Sequence, residues 1–220
     1  MRNRKKYLIF TLGLLLSFNA FSQTFGVKGG INLATMLEKD DSGIISKNYT
    51  SHTSFHFGLS AEIPITGMFI LETDLLFSGK GYHYFEEGNI LINDYDAVLN
   101  IYYLDIPILA KIKYDLGSFE VFGTFGPYLA IGVAGNYRYD TEVLGIPIAD
   151  TTSIEWGSDM NEYKTLDMGL SIGGGIAYEA IELGITYQFG LISISGVTAN
   201  NYIKKNSVLA ISLAYKLNNK

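Results

Sequence analysis

The stretch IELGITYQFGLIS, residues 181–193, carries an apolar side chain at every second position from 181 to 191. Glu182, Thr186 and Gln188 lie between these apolar positions. Successive side chains of a β-strand point to opposite faces, so the stretch has one apolar and one polar face as a strand. A helix, with about 3.6 residues per turn, would mix the two classes on each face. We therefore predict a strand here.

Seven further segments show the same alternation, the last being the least regular. Pro107 lies inside the fourth strand of the chain, and proline cannot donate a hydrogen bond to a strand ladder. We therefore expect a bulge or an unpaired position at Pro107. The seven segments are residues 24–33, 54–63, 68–80, 100–114, 119–135, 164–178 and 207–217.

The gaps between these segments alternate between short and long. The short turns are 64–67, 115–118 and 179–180, and the long loops are 34–53, 81–99, 136–163 and 194–206. An even number of strands of about ten residues, joined alternately by short turns and long loops, is typical of outer-membrane barrels. Aromatic residues near both ends of the apolar faces agree with the girdles of such barrels. The sequence predicts an all-β fold, an eight-stranded antiparallel up-and-down transmembrane β-barrel.

The chain begins with basic residues, then a short apolar stretch, and Ala20 and Ser22 follow as small residues suited to cleavage. This pattern predicts a signal peptide over residues 1–22 and a barrel domain over residues 23–220. The apolar stretch is about ten residues long, whereas a membrane-spanning helix needs about twenty. We expect an integral outer-membrane protein whose long loops are extracellular and whose turns and termini are periplasmic.

Composition excludes some functions. Without residues 1–22 the chain has twelve Lys and Arg against twenty-two Asp and Glu, so nucleic acid is not an expected partner. The chain has no cysteine. No later segment has eighteen consecutive apolar residues, so no transmembrane helix is predicted. The expected partners are outer-membrane lipid and lipopolysaccharide, with envelope or secretion proteins as a further class.

Five segments carry the motifs of one family: LETDLLFSGKG (71–81), YLDIPILAK (103–111), FGTFGPYL (122–129), GGG (173–175) and YQFGL (187–191). They resemble the PorT-like outer-membrane β-barrel family of Bacteroidota. The resemblance implies an eight-stranded barrel of mostly unassigned function, in a family with one member tied to protein secretion. The chain departs from most outer-membrane barrels by ending on Asn218-Asn219-Lys220 rather than on an aromatic residue.

Charged residues on the polar faces define the candidate site. Side chains nearly fill an eight-stranded barrel, and buried charges must be paired or neutralised. The set therefore predicts an ion-pair network that plugs the lumen, with a proton or ion path as the alternative. We expect Lys111 to pair with Glu72 or Asp105. The predicted network comprises Lys28, Glu72, Asp74, Asp105, Lys111, Lys113, Glu120 and Asp167.

Metal, cofactor and catalytic sites are not predicted. His52, His56 and His83 are too few for a zinc site without cysteine, and no phosphate loop is present. The acidic loop residues, Glu38 among them, are interpreted as solvated charge, with divalent bridging to lipopolysaccharide as an alternative. The only tryptophan, Trp156, either contacts a partner or packs the loop.

The leading interpretation of function is a structural or interaction protein. Its alternatives are an accessory to secretion or a narrow conduit, and, less favoured, a lipid-modifying enzyme.

Overall fold

The computed structural model describes residues 23–88, 94–143, 146–159 and 162–217, so the predicted signal peptide lies outside the described residues. Strands dominate, with two single-turn 3-10 helices at Ser46–Asn48 and Ala199–Asn201. The strands are β1 (Thr24–Asp40), β2 (Gly43–Ile44), β3 (Tyr49–Thr50), β4 (His52–Thr66), β5 (Phe69–Glu86), β6 (Tyr95–Asp115), β7 (Glu120–Val143), β8 (Ile146–Ser153), β9 (Leu166–Tyr178), β10 (Ile181–Gly190) and β11 (Ile203–Lys216).

Eight of these strands form a closed ring. The order β1-β4-β5-β6-β7-β9-β10-β11 is antiparallel throughout, and β11 also pairs with β1. This closing ladder runs from Gly26 opposite Lys216 to Lys39 opposite Ile203. The all-β class and the antiparallel up-and-down order are confirmed. The short strands β2, β3 and β8 bring the sheet to eleven strands, so the predicted eight describes the ring and not the whole sheet.

The ring has two different ends. Its turn end has the short connections after Thr66, Asp115 and Tyr178, as predicted, and its loop end has the long ones. The prediction that residues 81–99 and 136–163 are loops is wrong over much of both ranges. Strands β5 and β6 continue into the first range, and the β7–β8 hairpin occupies most of the second. In these extensions the outward positions, such as Asp96, Arg138 and Asp140, are polar and exposed. The apolar outward pattern therefore ends before the strands do.

Pro107 interrupts one ladder without shifting it. The register between β5 and β6 has a gap between Thr73–Ile108 and Leu76–Asp105, and it resumes unchanged. The Thr73 hydroxyl donates to the Pro107 carbonyl at 3.0 Å. The expected unpaired position is therefore present, whereas the nearest register shift along β6 lies between Tyr102 and Tyr103.

The outer face of the ring is apolar. Ile31, Ile185 and Ile211, on three adjacent strands, are each about half exposed and are directly paired. On the opposite wall Phe77 stacks on Tyr102 with ring centroids 5.3 Å apart. Among the described residues, no helix is long and apolar enough to cross a membrane.

The inside of the ring is filled. Towards the loop end an aromatic and aliphatic core occupies the interior, and Trp156 and Tyr163 pack against it. Charged and hydrogen-bonding side chains occupy the interior towards the turn end. The core comprises Met36, Tyr82, Leu99, Ile101, Tyr103, Tyr128, Ala130 and Ile194.

Candidate functional site

Lys111 lies at the centre of a buried charge cluster near the turn end. Its Nζ is 2.5 Å from Glu62 Oε1 and 2.6 Å from Glu182 Oε2. The Glu72 carboxylate is 2.7 Å away at Oε2. The strands β4, β5, β6 and β10 thus converge on one ammonium group. We call the whole set the turn-end cluster; it comprises Lys28, Lys111, Lys113, Lys216, Glu62, Glu72, Asp74 and Glu182.

The other lysines of the turn-end cluster each bridge two carboxylates of that cluster. Lys28 Nζ lies 2.5 Å from Glu72 Oε1 and 2.6 Å from Asp74 Oδ2. Lys113 and Lys216 both contact Glu182, at 2.8 and 2.7 Å. The cluster holds four lysines and four carboxylates. Each charge is therefore balanced, as a buried ionic network requires.

A second cluster lies deeper in the lumen. Lys80 Nζ is 3.1 Å from Asp167 Oδ2 and 3.5 Å from Asp105 Oδ2, and all three residues are at most 1 % exposed. Asn206 Nδ2 donates to Asp167 at 2.9 Å. The ring of Tyr128 covers the ammonium, with its centroid 4.2 Å from Lys80 Nζ. We call Lys80, Asp105 and Asp167 the central cluster.

The structure brings seven of the eight predicted residues into these two clusters. Lys111 meets Glu72, one of its two predicted partners, whereas Asp105 meets Lys80 instead. Glu120 is different: its side chain is 43 % exposed at the rim and lies 3.6 Å from Lys113. Lys80, Glu62, Glu182 and Lys216 were not in the predicted set. They occupy inward positions of the same alternation, so the pattern itself carried the signal for them.

A cavity separates the charged groups. Its water-accessible volume is about 60 Å³, enough for a few water molecules, since one water needs roughly 10–15 Å³. Charged side chains of the turn-end cluster and Asp105 line it, together with hydroxyl, amide and apolar side chains. Among the lining residues are Asp74, Asp105, Ser171, Gln188, Lys28 and Lys111.

His56 belongs to a hydrogen-bonded chain inside the lumen. The Asn32 amide nitrogen donates to the Gly79 carbonyl at 2.9 Å, so Asn32 Oδ1 faces His56 Nδ1 at 2.8 Å. Nδ1 must then carry the proton, and Nε2 accepts from the Ser212 hydroxyl at 2.9 Å. Sequence reasoning missed Ser212, which lies 156 residues away. The small cavity beside this serine has no room for a lipid chain.

The loop end of the lumen is closed by a third buried pair. Lys204 Nζ lies 2.9 Å from Glu38 Oε2, and Glu38 also accepts hydrogen bonds from the Tyr49 and Tyr202 hydroxyls. Burial raises the pKa of both tyrosines, which keeps them protonated as donors. The expectation that Glu38 is a solvated loop charge is wrong, because β1 extends to Asp40 and carries Glu38 into the interior.

Above this pair an open cleft of about 580 Å³ faces out of the loop end. Trp156 lies beneath it and packs edge-on against Tyr103, with ring centroids 6.4 Å apart. Gly132 makes room for the indole, since a Cβ there would lie 2.1 Å from Trp156. This position favours the packing interpretation of Trp156. The lining of the cleft, here called the mouth cleft, includes Tyr82, Tyr137, Tyr163, Tyr202, Glu155 and Lys204.

One group of carboxylates has metal-like geometry. Oxygens of Glu62, Glu72 and Glu182 lie within 4.8 Å of one another. The Lys111 ammonium already contacts all three carboxylates, so it takes the place of a cation. None of the three histidines belongs to a comparable ligand group in the part of the chain that the structure describes.

A closed antiparallel sheet with an apolar outer face and a charged interior defines a membrane β-barrel. The chain belongs to the family described as "Outer membrane protein beta-barrel domain", whose model matches residues 21–196. It is accordingly an integral protein of the outer membrane. The PorT-like family is a narrower group than the family whose model matches.

Solved structures similar to the chain include the three that follow, while no curated protein matches it in sequence. Ail of Yersinia pestis is 12 % identical over 90 % of this chain and 100 % of its own, with a TM-score of 0.38. Neisserial surface protein A is 16 % identical over 88 % and 97 %, with a TM-score of 0.41. OprG of Pseudomonas aeruginosa is 14 % identical over 89 % and 96 %, with a TM-score of 0.43.

Proposed function

We propose that the protein acts through its loop end, as an outer-membrane interaction protein whose lumen conducts no solute. The observation that carries this proposal is the filled interior, in which two ion-pair clusters and an aromatic core follow one another along the barrel axis. A barrel closed in this way leaves little space for a diffusing solute. The loop end is then the surface available for recognition.

The mouth cleft is the candidate binding surface. Four tyrosines, one lysine and acidic groups line it, and aromatic residues with a few placed polar groups are typical of binding clefts. We propose that the loops and the mouth cleft are extracellular and that the turns and both termini are periplasmic. Residues 1–22 serve as the signal peptide in this proposal, and envelope proteins, lipid and lipopolysaccharide are the partner classes.

Photo-crosslinking in intact cells tests this proposal. A benzoylphenylalanine residue replaces Val197, which lines the mouth cleft, or Leu116, which is exposed at the turn end. We expect adducts with an envelope component from position 197 alone. Equal adducts from both positions, or from neither, would contradict the proposal. Epitope tags at the same two positions test orientation, because only the tag at position 197 should react on intact cells.

A conduit or an accessory to secretion is the second candidate. Its support is the PorT-like resemblance and the chain of buried charges along the lumen. Recording in planar bilayers separates the two candidates: the wild-type barrel should give no conductance steps, whereas a conduit gives steps that shrink when the lumen is mutated. We expect the silent outcome because a cavity of about 60 Å³ lies between closed clusters.

A lipid-modifying enzyme remains the least supported function. The Asn32–His56–Ser212 chain has the hydrogen-bond order of an activated serine, but its cavity is small and internal. We expect no acyl transfer or lipase activity from the purified barrel. Activity that disappears in both His56→Gln and Ser212→Ala would reverse this expectation.

A further inference from the structure

The surface at the loop end carries an excess of negative charge. Apart from the buried Lys204–Glu38 pair, its segments contain twelve carboxylates and five basic side chains. Each of these charged side chains is exposed or half-buried. The excess negative charge attracts cationic partners and repels anionic ones such as phosphate groups. The segments counted are residues 39–50, 83–98, 136–164 and 194–206.

The floor of the mouth cleft already holds one ammonium group. Lys204 Nζ lies 5.5 Å from the ring centroids of both Tyr82 and Tyr163, and 2.9 Å from Glu38 Oε2. Tyrosine faces attract an ammonium group through their ring quadrupole, and the carboxylate balances its charge. The floor of the cleft therefore shows which groups this surface uses to hold a cation.

The rim of the cleft presents tyrosine rings and carboxylates without a cation. Glu155 and Glu162 both line the cleft, and no basic side chain pairs with either carboxylate within the residues that the structure describes. The Glu162 carboxylate accepts only the Asp159 N–H, at 2.8 Å. The Tyr163 N–H donates to the Glu155 carbonyl at 2.9 Å, so the two glutamates and this tyrosine lie on directly bonded backbone segments. The rim lacks the positive charge that Lys204 supplies at the floor.

The chemistry of the rim selects among ligand classes. A divalent metal ion needs more oxygen ligands than two carboxylates, and Glu155 and Glu162 belong to no group of three metal-ligating residues in the described part of the chain. A ligand bearing phosphate groups is repelled by the excess negative charge. A neutral sugar would stack on the tyrosines and leave both carboxylates without a counter-charge. A lysine or arginine side chain satisfies the rings and the carboxylates together.

We propose that the mouth cleft docks a basic peptide segment of a partner protein. One lysine or arginine side chain of the segment enters the cleft beside Glu155 and Glu162, and its neighbouring basic residues face the acidic loops. A peptide fits better than a small amine because the negative charge extends over four segments of the loop end, well beyond the cleft. The inference rests on the proposed function, since it takes the mouth cleft as the recognition surface and adds the chemical class of the partner.

Fluorescence anisotropy with the purified folded barrel in a non-ionic detergent tests the proposal. The probe is a short labelled peptide of alternating arginine and glycine, compared with peptides that carry glutamine or glutamate in place of arginine. We expect only the arginine peptide to bind, with an affinity that falls as salt is added. Binding of the glutamine peptide with equal affinity, or no binding of the arginine peptide, overturns the proposal.

Two variants of the cleft locate the binding. Glu155→Gln combined with Glu162→Gln keeps the hydrogen-bond acceptors and removes two charges, so affinity for the arginine peptide should fall about fivefold or more. Tyr137→Leu keeps an apolar lining residue without the aromatic ring, and should lower the affinity about two- to fivefold. Circular dichroism and heat-modifiability establish that each variant is folded before binding is compared.

Glu86→Gln combined with Glu87→Gln is the matched control. Both residues are exposed at the loop end and lie outside the lining of the cleft, so this variant removes the same charge and should lose much less affinity. An equal loss would show that net charge attracts the peptide, and it would overturn the site. If crosslinking from position 197 succeeds in cells while the arginine peptide does not bind, the proposed function stands and the basic partner is wrong.

Discussion

The Lys111 ammonium lies 2.7 Å from the Glu72 carboxylate on the neighbouring strand, and two more glutamates surround it. Replacing Lys111 by Met would leave three buried carboxylates without their shared partner. Removing one member of a buried ion pair typically costs about 3–5 kcal/mol. We expect Lys111→Met to lower the temperature at which the folded band shifts in a heat-modifiability gel.

Lys39→Met is the control for this prediction, since Lys39 is exposed on β1. It should leave the transition temperature unchanged. If Lys111→Met and the control behave alike, the turn-end cluster contributes nothing to the stability of the barrel.

The outer face should respond to charge according to depth. Ile211 lies near the middle of β11 and is paired with Ile31 and Ile185, which are also outward. Arginine on the lipid face near the bilayer midplane costs about 2–4 kcal/mol, and about 0–1 kcal/mol near the interfaces. We expect Ile211→Arg to lower the free energy of folding into phospholipid vesicles by the larger amount. Leu37→Arg, near the loop end, should be nearly neutral. The opposite ranking would show that the bilayer midplane does not lie at the level of Ile211.

The space at Gly132 should control the position of Trp156. Alanine there would place its Cβ 2.1 Å from the indole, so the ring must leave the interior. We expect Gly132→Ala to shift the tryptophan fluorescence to the red and to increase its quenching by iodide. Gly123→Ala is a matched control, because its Cβ would have only the Gly173 carbonyl nearby, at 3.9 Å. Unchanged fluorescence in Gly132→Ala would show that Trp156 is not seated in the lumen.

The loop-end closure should weaken at high pH. Burial raises the pKa of Tyr202 in the folded state above the unfolded value of about 10. The stability from its hydroxyl is therefore complete below about pH 10 and is lost as the pH rises further. Hydrogen exchange of residues 194–206 should accelerate above that pH. Tyr202→Phe should exchange faster at neutral pH and show a smaller alkaline increase; an identical alkaline profile would exclude this tyrosine as the cause.

The sequence alone predicted which face of the sheet most side chains occupy, because alternation with a period of two assigns each residue of a strand to a face. The same pattern rules out Asp105, one of the two partners that we predicted for Lys111. Lys111 and Asp105 lie six residues apart on the same strand, roughly 20 Å at about 3.3 Å per residue, so they cannot meet. The Lys111 contacts with Glu62 and Glu182 could not be predicted, since they depend on strand tilt and on which strands face one another across the lumen.

The loop end was harder to predict for another reason. Glu38 and Tyr202 belong to segments read as loops, because outward alternation ends where the apolar belt ends. The strands continue past that level, and partners far apart in the chain, such as Glu38 and Lys204, meet only after the ring has closed. Likewise, Trp156 enters the interior because Gly132 leaves space for it, and this fit depends on the folded geometry.

The ladder between β1 and β11 has a consequence for biogenesis. Gly26 is paired with Lys216, so β1 cannot form its ladder with β11 until nearly all of the polypeptide has been synthesised. Until then two rows of amide and carbonyl groups lack partners, a state that hydrocarbon does not tolerate. A nascent chain halted before β11 would therefore need shelter by periplasmic factors or by the insertion machinery, and would be degraded without it.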